Sequence, residues 1–325
     1  MANILVTGAT GFVGSHIVET LLEKKHKIFC FVRKSSNLKW IKNLGVEYKI
    51  GDFIDVKFLK SVVKNMDFIV HCAGVVRANS QKEYFEINVE NTKNLCESVL
   101  SSNPCLKKFI FISSQAAMGP STESIRKIAD AENPVSDYGF SKLYAEKQIK
   151  KIFFEKIPYT IFRPASVYGP RDKDIFIFFN LVHKHLRPFT TTKRLLQLVF
   201  VKDIANAVSN AMENQNTINK TYYLAEKSIY SWEDIARIIS TCSNRKTFPL
   251  PLPDFIFKIA GFIAQIVSHI SKSPAVLNHQ KITEMLQSSW TADTSSSQSD
   301  LNVNFTSFEL GAKITYNWYI DNKYF

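Results

Sequence analysis

The chain has 325 residues, of which 45% are hydrophobic, enough to bury one large α/β domain or a core domain with a smaller appendage. Its five cysteines form no CxxC pair, which argues against a zinc site and favours buried thiols in a reducing compartment. The net charge of +12 is spread without interleaved aromatic residues, so we expect an anionic cofactor, substrate or membrane surface rather than nucleic acid. No leader-type segment precedes the first strand, so we expect a cytoplasmic protein.

The first predicted elements are a strand over Asn3–Thr7, a tight turn and a helix that begins at Phe12. Glycines stand at every third residue of the turn. A dinucleotide pyrophosphate can approach the first turn of a helix only where no Cβ blocks the backbone N–H groups. An ordinary strand-turn-helix connection is the alternative. The candidate cofactor-binding residues here are Gly8, Thr10, Gly11, Phe12, Val13 and Gly14.

The second predicted strand, Ile28–Val32, ends at Arg33. In a dinucleotide-binding unit, a carboxylate at this position would accept a hydrogen bond from the adenosine ribose. Arg33 could instead bind a 2′-phosphate, and a charge-assisted contact of about 1.5–3 kcal/mol favours NADP over NAD by roughly 10- to 100-fold. A solvated surface arginine is the alternative.

The third predicted strand, Val46–Ile50, is followed by two candidate adenine contacts. Asp52 could accept a hydrogen bond from the adenine amino group, and Phe53 could pack on the ring. Asp52 could equally cap the helix that starts near Val56.

The fourth predicted strand ends at His71, which we interpret as a core histidine. The small residues Ala73 and Gly74 follow, where a cofactor would pass over the sheet edge. A long helix over residues 83–101 carries Asn88.

The fifth predicted strand, Lys108–Ser113, is followed directly by Ser114. Tyr138 and Lys142 come later, at i and i+4 of a helix that continues to about residue 155, so they share one helix face. Free tyrosine titrates near pH 10, and a neighbouring ammonium together with a positively charged nicotinamide would lower its pKa. This spacing favours an acid/base tyrosine, with an ordinary amphipathic helix as the alternative.

Four sequence features occur together: residues 7–14 (TGATGFVG), the serine pair at 113–114, the YxxxK motif at 138–142 and residues 162–170 (FRPASVYGP). They resemble the extended short-chain dehydrogenase/reductase family, also described as NAD-dependent epimerase/dehydratase. With the alternation of strands and helices, they predict an α/β fold: a Rossmann-type doubly wound parallel sheet with a smaller, mainly C-terminal substrate lobe.

The resemblance implies a role for each candidate catalytic residue. Tyr138 would be the acid/base, and Lys142 would hold the nicotinamide ribose and lower the pKa of the tyrosine. Ser114, identified by counting back from Gly119, would orient the reacting oxygen. Asn88 matches the helix asparagine that supports a water-linked proton path to the lysine.

Departures from individual subfamilies narrow the reaction. Residues 115–117 are Gln-Ala-Ala where dehydratases carry an acidic residue, so dehydration is disfavoured. Residues 163–166, Arg-Pro-Ala-Ser, resemble the reductase and 3β-hydroxysteroid dehydrogenase branches rather than many sugar-nucleotide epimerases. Pro164 in this run is a further candidate cofactor contact. The basic pair at 33–34 resembles NADP-dependent reductases such as dihydroflavonol reductases.

These observations predict an NAD(P)-dependent enzyme that transfers hydride between the nicotinamide and a secondary alcohol or ketone. NADP is the expected cofactor, and NAD is the alternative. A nucleotide-sugar epimerase with tightly bound NAD is the second hypothesis, and a non-catalytic dinucleotide sensor of the same fold is the third.

The remaining residues are divided between completing the sheet and building the substrate lobe. We expect a cofactor domain over 1–170, completed by about 198–225, and a lobe formed by 171–197 and 226–325. Ser231 resembles the start of a capped helix.

Several lobe segments carry separate expectations. Residues 255–271 form the most apolar segment, a helix that acts as a lid or lies on a membrane surface, which favours an apolar small-molecule substrate. His183 and His185 point to different helix faces, so we expect no metal site there. Residues 294–300 form a short low-complexity run, which predicts a surface loop. A homodimer is a further expectation.

Overall fold

The structure, a computed structural model, describes residues 1–121, 125–257, 259 and 279–325. Within these residues the strands are β1 (Asn3–Thr7), β2 (Lys27–Val32), β3 (Glu47–Ile50), β4 (Phe68–His71), β5 (Lys108–Ile112), β6 (Tyr159–Pro164), β7 (Ser166–Tyr168), β8 (Leu186–Thr190), β9 (Leu195–Leu196), β10 (Leu198–Phe200), β11 (Lys220–Leu224), β12 (Tyr230–Ser231), β13 (Phe248–Leu252) and β14 (Ser289–Trp290).

The α-helices within the same residues are α1 (Phe12–Glu23), α2 (Val56–Val63), α3 (Gln81–Phe85), α4 (Asn91–Ser102), α5 (Asp137–Phe153), α6 (Phe176–His183), α7 (Val201–Glu213), α8 (Trp232–Cys242), α9 (His279–Met285), α10 (Ser295–Leu301) and α11 (Phe308–Asp321). A π-helical turn, Glu86–Glu90, joins α3 to α4, so the predicted long helix over 83–101 is interrupted at Asn88. None of the helices in the described parts of the chain is long and apolar enough to span a membrane.

The main sheet has seven parallel strands in the order β3-β2-β1-β4-β5-β6-β11. The order reverses its direction next to β1, which is the arrangement of a doubly wound sheet. The predicted fold class is therefore confirmed.

Both faces of the main sheet are covered by helices. Successive side chains of a strand point to opposite faces, so Ile4 and Val6 pack with α1 and α7 while Leu5 packs on the side of α2, α4 and α5. Burial on both faces explains why the central strands are continuous apolar runs rather than alternating ones.

The substrate lobe has its own core, rich in aromatic side chains, built mainly from α6, α8 and α11. Ser231 starts α8 with a capping box, in which its hydroxyl accepts from the Asp234 N–H and the Asp234 side chain accepts from the Ser231 N–H, as predicted. The strand β11 returns the chain to the main sheet before this lobe resumes. The boundaries at 170 and 226 stay a prediction.

The prediction of a surface loop over residues 294–300 is wrong, because Ser295–Leu301 forms helix α10. Tertiary contacts stabilise it: Leu301 is buried in the core, and the side chain of Asn214 donates to the Asp300 carbonyl oxygen at 2.6 Å. A serine-rich run has weak intrinsic preference for a helix, so its sequence did not indicate one. The predicted helix over 255–271 lies largely outside the described residues.

Candidate active site

The predicted site residues lie along one edge of the main sheet. The strands β1, β4 and β5 end side by side, and the segments that follow them are the glycine turn, Ala73–Gly74 and Ser113–Ser114. Pro164 is the last residue of the next strand, β6, and pairs in register with Leu224. Ligands of open α/β sheets bind at this carboxyl edge, near the reversal of strand order.

The glycine turn brings main-chain atoms so close together that side chains are excluded. Gly8 has φ +69°, and a Cβ there would come 2.6 Å from the amide nitrogen of Ala73. A Cβ on Gly14 would come 2.1 Å from the Gly8 oxygen. Helix α1 starts after Gly11 without a side-chain cap, so its first turn presents N–H groups and the positive end of its dipole to an anion. This cradle fits a pyrophosphate.

At the end of β2, Arg33 is exposed, and its backbone N–H donates to the Ser36 hydroxyl at 3.0 Å. This bond holds the turn that carries the guanidinium at the sheet edge. No acidic residue occupies positions 33–36, so the site has no carboxylate at the usual ribose position.

The two candidate adenine contacts lie beyond β3. Asp52 is exposed, and its carboxylate accepts from the Ile54 N–H at 3.2 Å in a local turn. The alternative that Asp52 caps the next helix is wrong: Asp55 caps α2, accepting from the Phe58 N–H at 3.0 Å. Since the helix begins at residue 56, the cap falls on the residue directly before it.

Phe53 is buried, with its ring 4.7 Å from that of Phe31 between centroids. Its contact with adenine stays a prediction. His71 is a core histidine, as predicted: its ring nitrogens lie 2.7 Å from the Thr7 hydroxyl and 2.9 Å from the Thr92 hydroxyl. Burial, with a smaller contribution from Lys142, lowers the pKa of His71 to about 3, so the imidazole is neutral.

Asn88 holds the chain that follows β4. Its side-chain oxygen accepts from the Val75 N–H at 2.8 Å, and its amide nitrogen donates to the Val75 oxygen and to the Ser141 hydroxyl. The π-helical turn around Asn88 is a rare conformation that often occurs at functional sites. A Cβ on Gly74 would lie 2.9 Å from the Asn88 side-chain oxygen and 3.8 Å from the Lys142 ammonium. Asn88, Gly74 and Lys142 are therefore neighbours.

Lys142 is a buried cation on helix α5. Its ammonium donates to the Ile112 oxygen at 2.7 Å and lies 4.2 Å from the centre of the Phe111 ring. Burial lowers the pKa of Lys142 to about 8, against opposing contributions from Cys72 and Glu146. The short donor–acceptor distance at the end of β5 fixes this charge next to the serine pair.

Tyr138, one turn before Lys142, is half-buried, and its hydroxyl is within hydrogen-bonding reach of Ser114. Burial raises the pKa of Tyr138 well above its usual value of 10, and the hydrogen bond with Ser114 partly opposes this. The tyrosine therefore carries its proton at neutral pH.

The two serines after β5 have different surroundings. The Ser113 hydroxyl is buried and donates to the Glu146 carboxylate at 2.6 Å. The Ser114 hydroxyl accepts from the Ala116 N–H at 3.1 Å and faces Tyr138. This arrangement favours Ser114 over Ser113 as the residue that orients a reacting oxygen.

Beneath the site, Glu146 and Arg163 form a buried ion pair that sequence reasoning missed. The side chains are 1% and 3% exposed, and Arg163 donates to both carboxylate oxygens, at 3.0 and 2.6 Å. Glu146 stands four residues after Lys142 and eight after Tyr138. This spacing places it on the same face of α5 and could have indicated from the sequence that Glu146 lies beneath the site.

The chain matches the family model described as "NAD dependent epimerase/dehydratase family" over residues 4–225. The chain belongs to this family. The predicted family, and with it the prediction of an enzyme, is confirmed.

Curated relatives in this family have different activities. The chain is 29% identical over 298 residues to a UDP-glucose 4-epimerase of Vibrio cholerae, covering 86% of this chain and 89% of the relative. It is 23% identical over 317 residues to a ceramide reductase of Caulobacter vibrioides, covering 97% and 94%. The fold is similar to a solved UDP-glucose 4-epimerase of Thermotoga maritima with UDP-glucose, with a TM-score of 0.80, 20% identity and 99% of each chain covered.

Proposed function

We propose that this family member is an NADP-dependent oxidoreductase that interconverts a secondary alcohol and a ketone. The observation that carries the proposal is the grouping of Ser114, Tyr138 and Lys142 at the sheet edge next to the glycine turn. The cofactor, when bound, supplies or accepts the hydride. The uncapped start of α1 and the cradle at Gly8 and Gly14 fit its pyrophosphate.

Each residue has a distinct task in the proposed reaction. Tyr138 carries its proton and donates it to the ketone oxygen as the alcohol forms; in the reverse direction it accepts the proton. Ser114 donates a hydrogen bond that orients the same oxygen. Lys142, held by the Ile112 carbonyl one helical turn after Tyr138, is the cation that we propose favours the ionised tyrosine after proton transfer. Asn88 keeps the segment that follows β4 in place, because its side chain is hydrogen-bonded to both the N–H and the carbonyl oxygen of Val75.

Three features favour a reductase over the sugar-nucleotide reactions. Gln115 follows Ser114, so no carboxylate is there to assist dehydration. Arg163 is bound to Glu146 and so does not face a substrate diphosphate, and Ser166 provides no amide where many sugar-nucleotide epimerases place an asparagine. The ceramide reductase relative aligns over nearly the whole chain, which supports an apolar substrate.

An epimerase with bound NAD is the second candidate, and the relative from Vibrio cholerae favours it. The same tyrosine would then take part in a transient oxidation. Such an enzyme carries NAD through gel filtration and interconverts UDP-glucose and UDP-galactose without net redox change. Neither property is expected of the reductase.

The deciding experiment for the cofactor is a fluorescence titration of cofactor-stripped protein with NADPH and NADH. We expect a preference for NADPH of about 10- to 100-fold, because Arg33 pairs with the 2′-phosphate. Arg33→Gln should abolish the preference, whereas Arg237→Gln, which removes an exposed arginine of α8, should keep it. A preference for NADH in the unmodified chain would contradict the role of Arg33.

The deciding experiment for the mechanism replaces the acid/base. In a panel of ketones with NADPH, Tyr138→Phe should lower turnover by about 10²- to 10⁴-fold while cofactor affinity stays the same. Tyr144→Phe, on an exposed part of the same helix, is the control and should keep full turnover. Full turnover in Tyr138→Phe would rule out the mechanism.

Further expectations concern the surroundings of the enzyme. We propose a cytoplasmic location, a homodimer and contact of residues 255–271 with a membrane surface or with the substrate. Sedimentation velocity tests the dimer. Flotation with anionic and with neutral lipid vesicles tests the membrane contact, and fractionation of cells tests the location.

A further inference from the structure

Helix α9 of the substrate lobe packs against the first turn of the helix that carries Tyr138. Ser136 caps α5 by accepting from the Gly139 N–H at 3.0 Å, and its hydroxyl donates to the Glu284 carboxylate. The Asp137 N–H donates to the Gln280 side-chain oxygen at 2.7 Å. Two consecutive residues just before Tyr138 are thus held by two residues of α9, one helical turn apart.

Glu284 is itself held in place. Its side chain is buried, with the residue 8% exposed, and its backbone oxygen accepts from the Trp290 indole N–H at 2.8 Å. The Lys281 ammonium lies 3.3 Å from its second carboxylate oxygen. The N-terminus of α5, which the carboxylate contacts through Ser136, is the positive end of that helix dipole and favours a negative charge.

Tyr138 is surrounded by groups from several elements. Ser114 follows β5, Cys72 follows β4, Tyr84 belongs to α3 and Lys142 lies one turn further along α5. From the lobe, α9 brings Glu284, with Lys281 behind it. Asp137 is the preceding residue, and its carboxylate accepts from Gln81 at 3.0 Å. Among the charged groups of α9, Glu284 is the anion whose carboxylate is hydrogen-bonded to Ser136, two residues before Tyr138.

We propose that Glu284 is a positioning residue for the acid/base reaction: through Ser136 it fixes the first turn of α5, and its negative charge opposes removal of the Tyr138 proton. The proposal rests on the proposed function, in which Tyr138 exchanges a proton with the substrate. Its consequence is that docking of the substrate lobe adds to the burial that favours the protonated tyrosine, the form that ketone reduction needs.

The electrostatics around Tyr138 agree with this geometry. Burial is the largest cause that raises the pKa of Tyr138, and the Glu284 carboxylate raises it further, while the Ser114 hydrogen bond lowers it. Removing the Glu284 charge should therefore make the phenol a stronger acid. Glutamine in its place keeps a side-chain oxygen that accepts from Ser136, so the cap of α5 is preserved.

The test is a pH titration of Tyr138 in the complex with oxidised cofactor, by NMR of chains labelled at the tyrosine Cζ carbon with ¹³C. The Tyr138 signal is the one that disappears in Tyr138→Phe. Glu284→Gln should raise its acid dissociation constant by about 3- to 10-fold. Glu284→Asp, which keeps the negative charge, should have an acid dissociation constant for Tyr138 closer to that of the unmodified chain than Glu284→Gln has.

The matched control is Gln280→Ala, which removes the hydrogen bonds of Gln280 with the N–H and with the carboxylate of Asp137 without changing a charge. It should leave the acid dissociation constant of Tyr138 within about twofold. An unchanged constant in Glu284→Gln, or an equal change in Gln280→Ala, would overturn the proposal. These readouts need no turnover, so they stay separate from the proposed function, which fails instead if Tyr138→Phe retains activity.

Discussion

The cofactor side of the sheet and the substrate lobe are built by different kinds of contact. At the glycine turn, main-chain atoms approach so closely that a methyl group at Gly8 or Gly14 meets backbone. In the lobe, the Phe176 ring packs 4.8 Å from Tyr319 and 5.6 Å from Phe325, between centroids. Rings of similar volume can replace one another, but backbone cannot move aside. The first region should be intolerant of small changes and the second more tolerant.

The largest expected effect is that of Gly14→Ala. The new Cβ would lie 2.1 Å from the Gly8 oxygen, so β1 and α1 must separate, and we expect a loss of about 4 kcal/mol or more of unfolding free energy. Gly45→Ala is the matched control: its φ is +68° but nothing lies within 4 Å, so only the left-handed backbone costs about 1–2 kcal/mol. Urea unfolding measures both, and equal losses would refute the steric account.

The buried ion pair gives the next effect. Glu146→Gln leaves the Arg163 charge buried without an anion, and we expect it to lower the unfolding free energy by about 3 kcal/mol. The control is Glu132→Gln, whose partner Lys147 and own side chain are 49% and 41% exposed, and whose pair contributes at most about 1 kcal/mol. Chemical denaturation measures the unfolding free energy of both variants. Similar losses would show that the buried pair contributes no more to stability than the exposed pair.

The two regions should also respond to pH with opposite sign. The pKa of His71 on the cofactor side is lowered to about 3, so between pH 6.5 and 3 the unfolded chain binds more protons and stability falls as the pH falls. In the lobe, the pKa of Glu226 is raised to about 7, and burial is the largest cause. Between pH 4.5 and 7 the folded chain binds the extra proton, so stability falls as the pH rises.

His71→Asn and Glu226→Gln separate these contributions. The stability advantage of the unmodified chain over His71→Asn should shrink as the pH is lowered from about 6.5, by at most about 1.4 kcal/mol per pH unit. Its advantage over Glu226→Gln should grow as the pH is lowered from about 7 to 4.5. Urea unfolding at several pH values gives both slopes, and slopes of equal sign would contradict the assignment of buried base and buried acid.

The smallest expected effect is that of Phe176→Leu in the lobe. Leucine keeps much of the ring volume, so we expect a loss of about 1–1.5 kcal/mol and unchanged affinity for NADPH. Thermal unfolding and the fluorescence titration check the two parts. A weakened affinity for NADPH would show that packing in the lobe core affects the cofactor side, and would contradict the expected independence of the two regions.

Local sequence signals predicted the geometry of the glycine turn and the shared helix face of Tyr138 and Lys142. The glycine spacing places Gly8 and Gly14 where the main chain approaches itself, and the i, i+4 spacing places Tyr138 and Lys142 on one face of α5. The helix cap after β3 was less well predicted, since Asp52 and Asp55 are both good caps and only the start of α2 decides between them. The helix α10 was missed because its stability comes from Asn214 and the core, not from its serines.

The sequence by itself determined the parallel sheet, the glycine turn and the tyrosine–lysine pair, because their chemistry depends on spacings of a few residues along one strand or helix. Only the tertiary structure decided which acidic groups face them. Glu284 reaches Ser136 across 148 positions of sequence, and Arg163 on strand β6 reaches Glu146 on helix α5. Such contacts depend on how elements pack, since burial and charge act through space and leave no periodic trace along the chain.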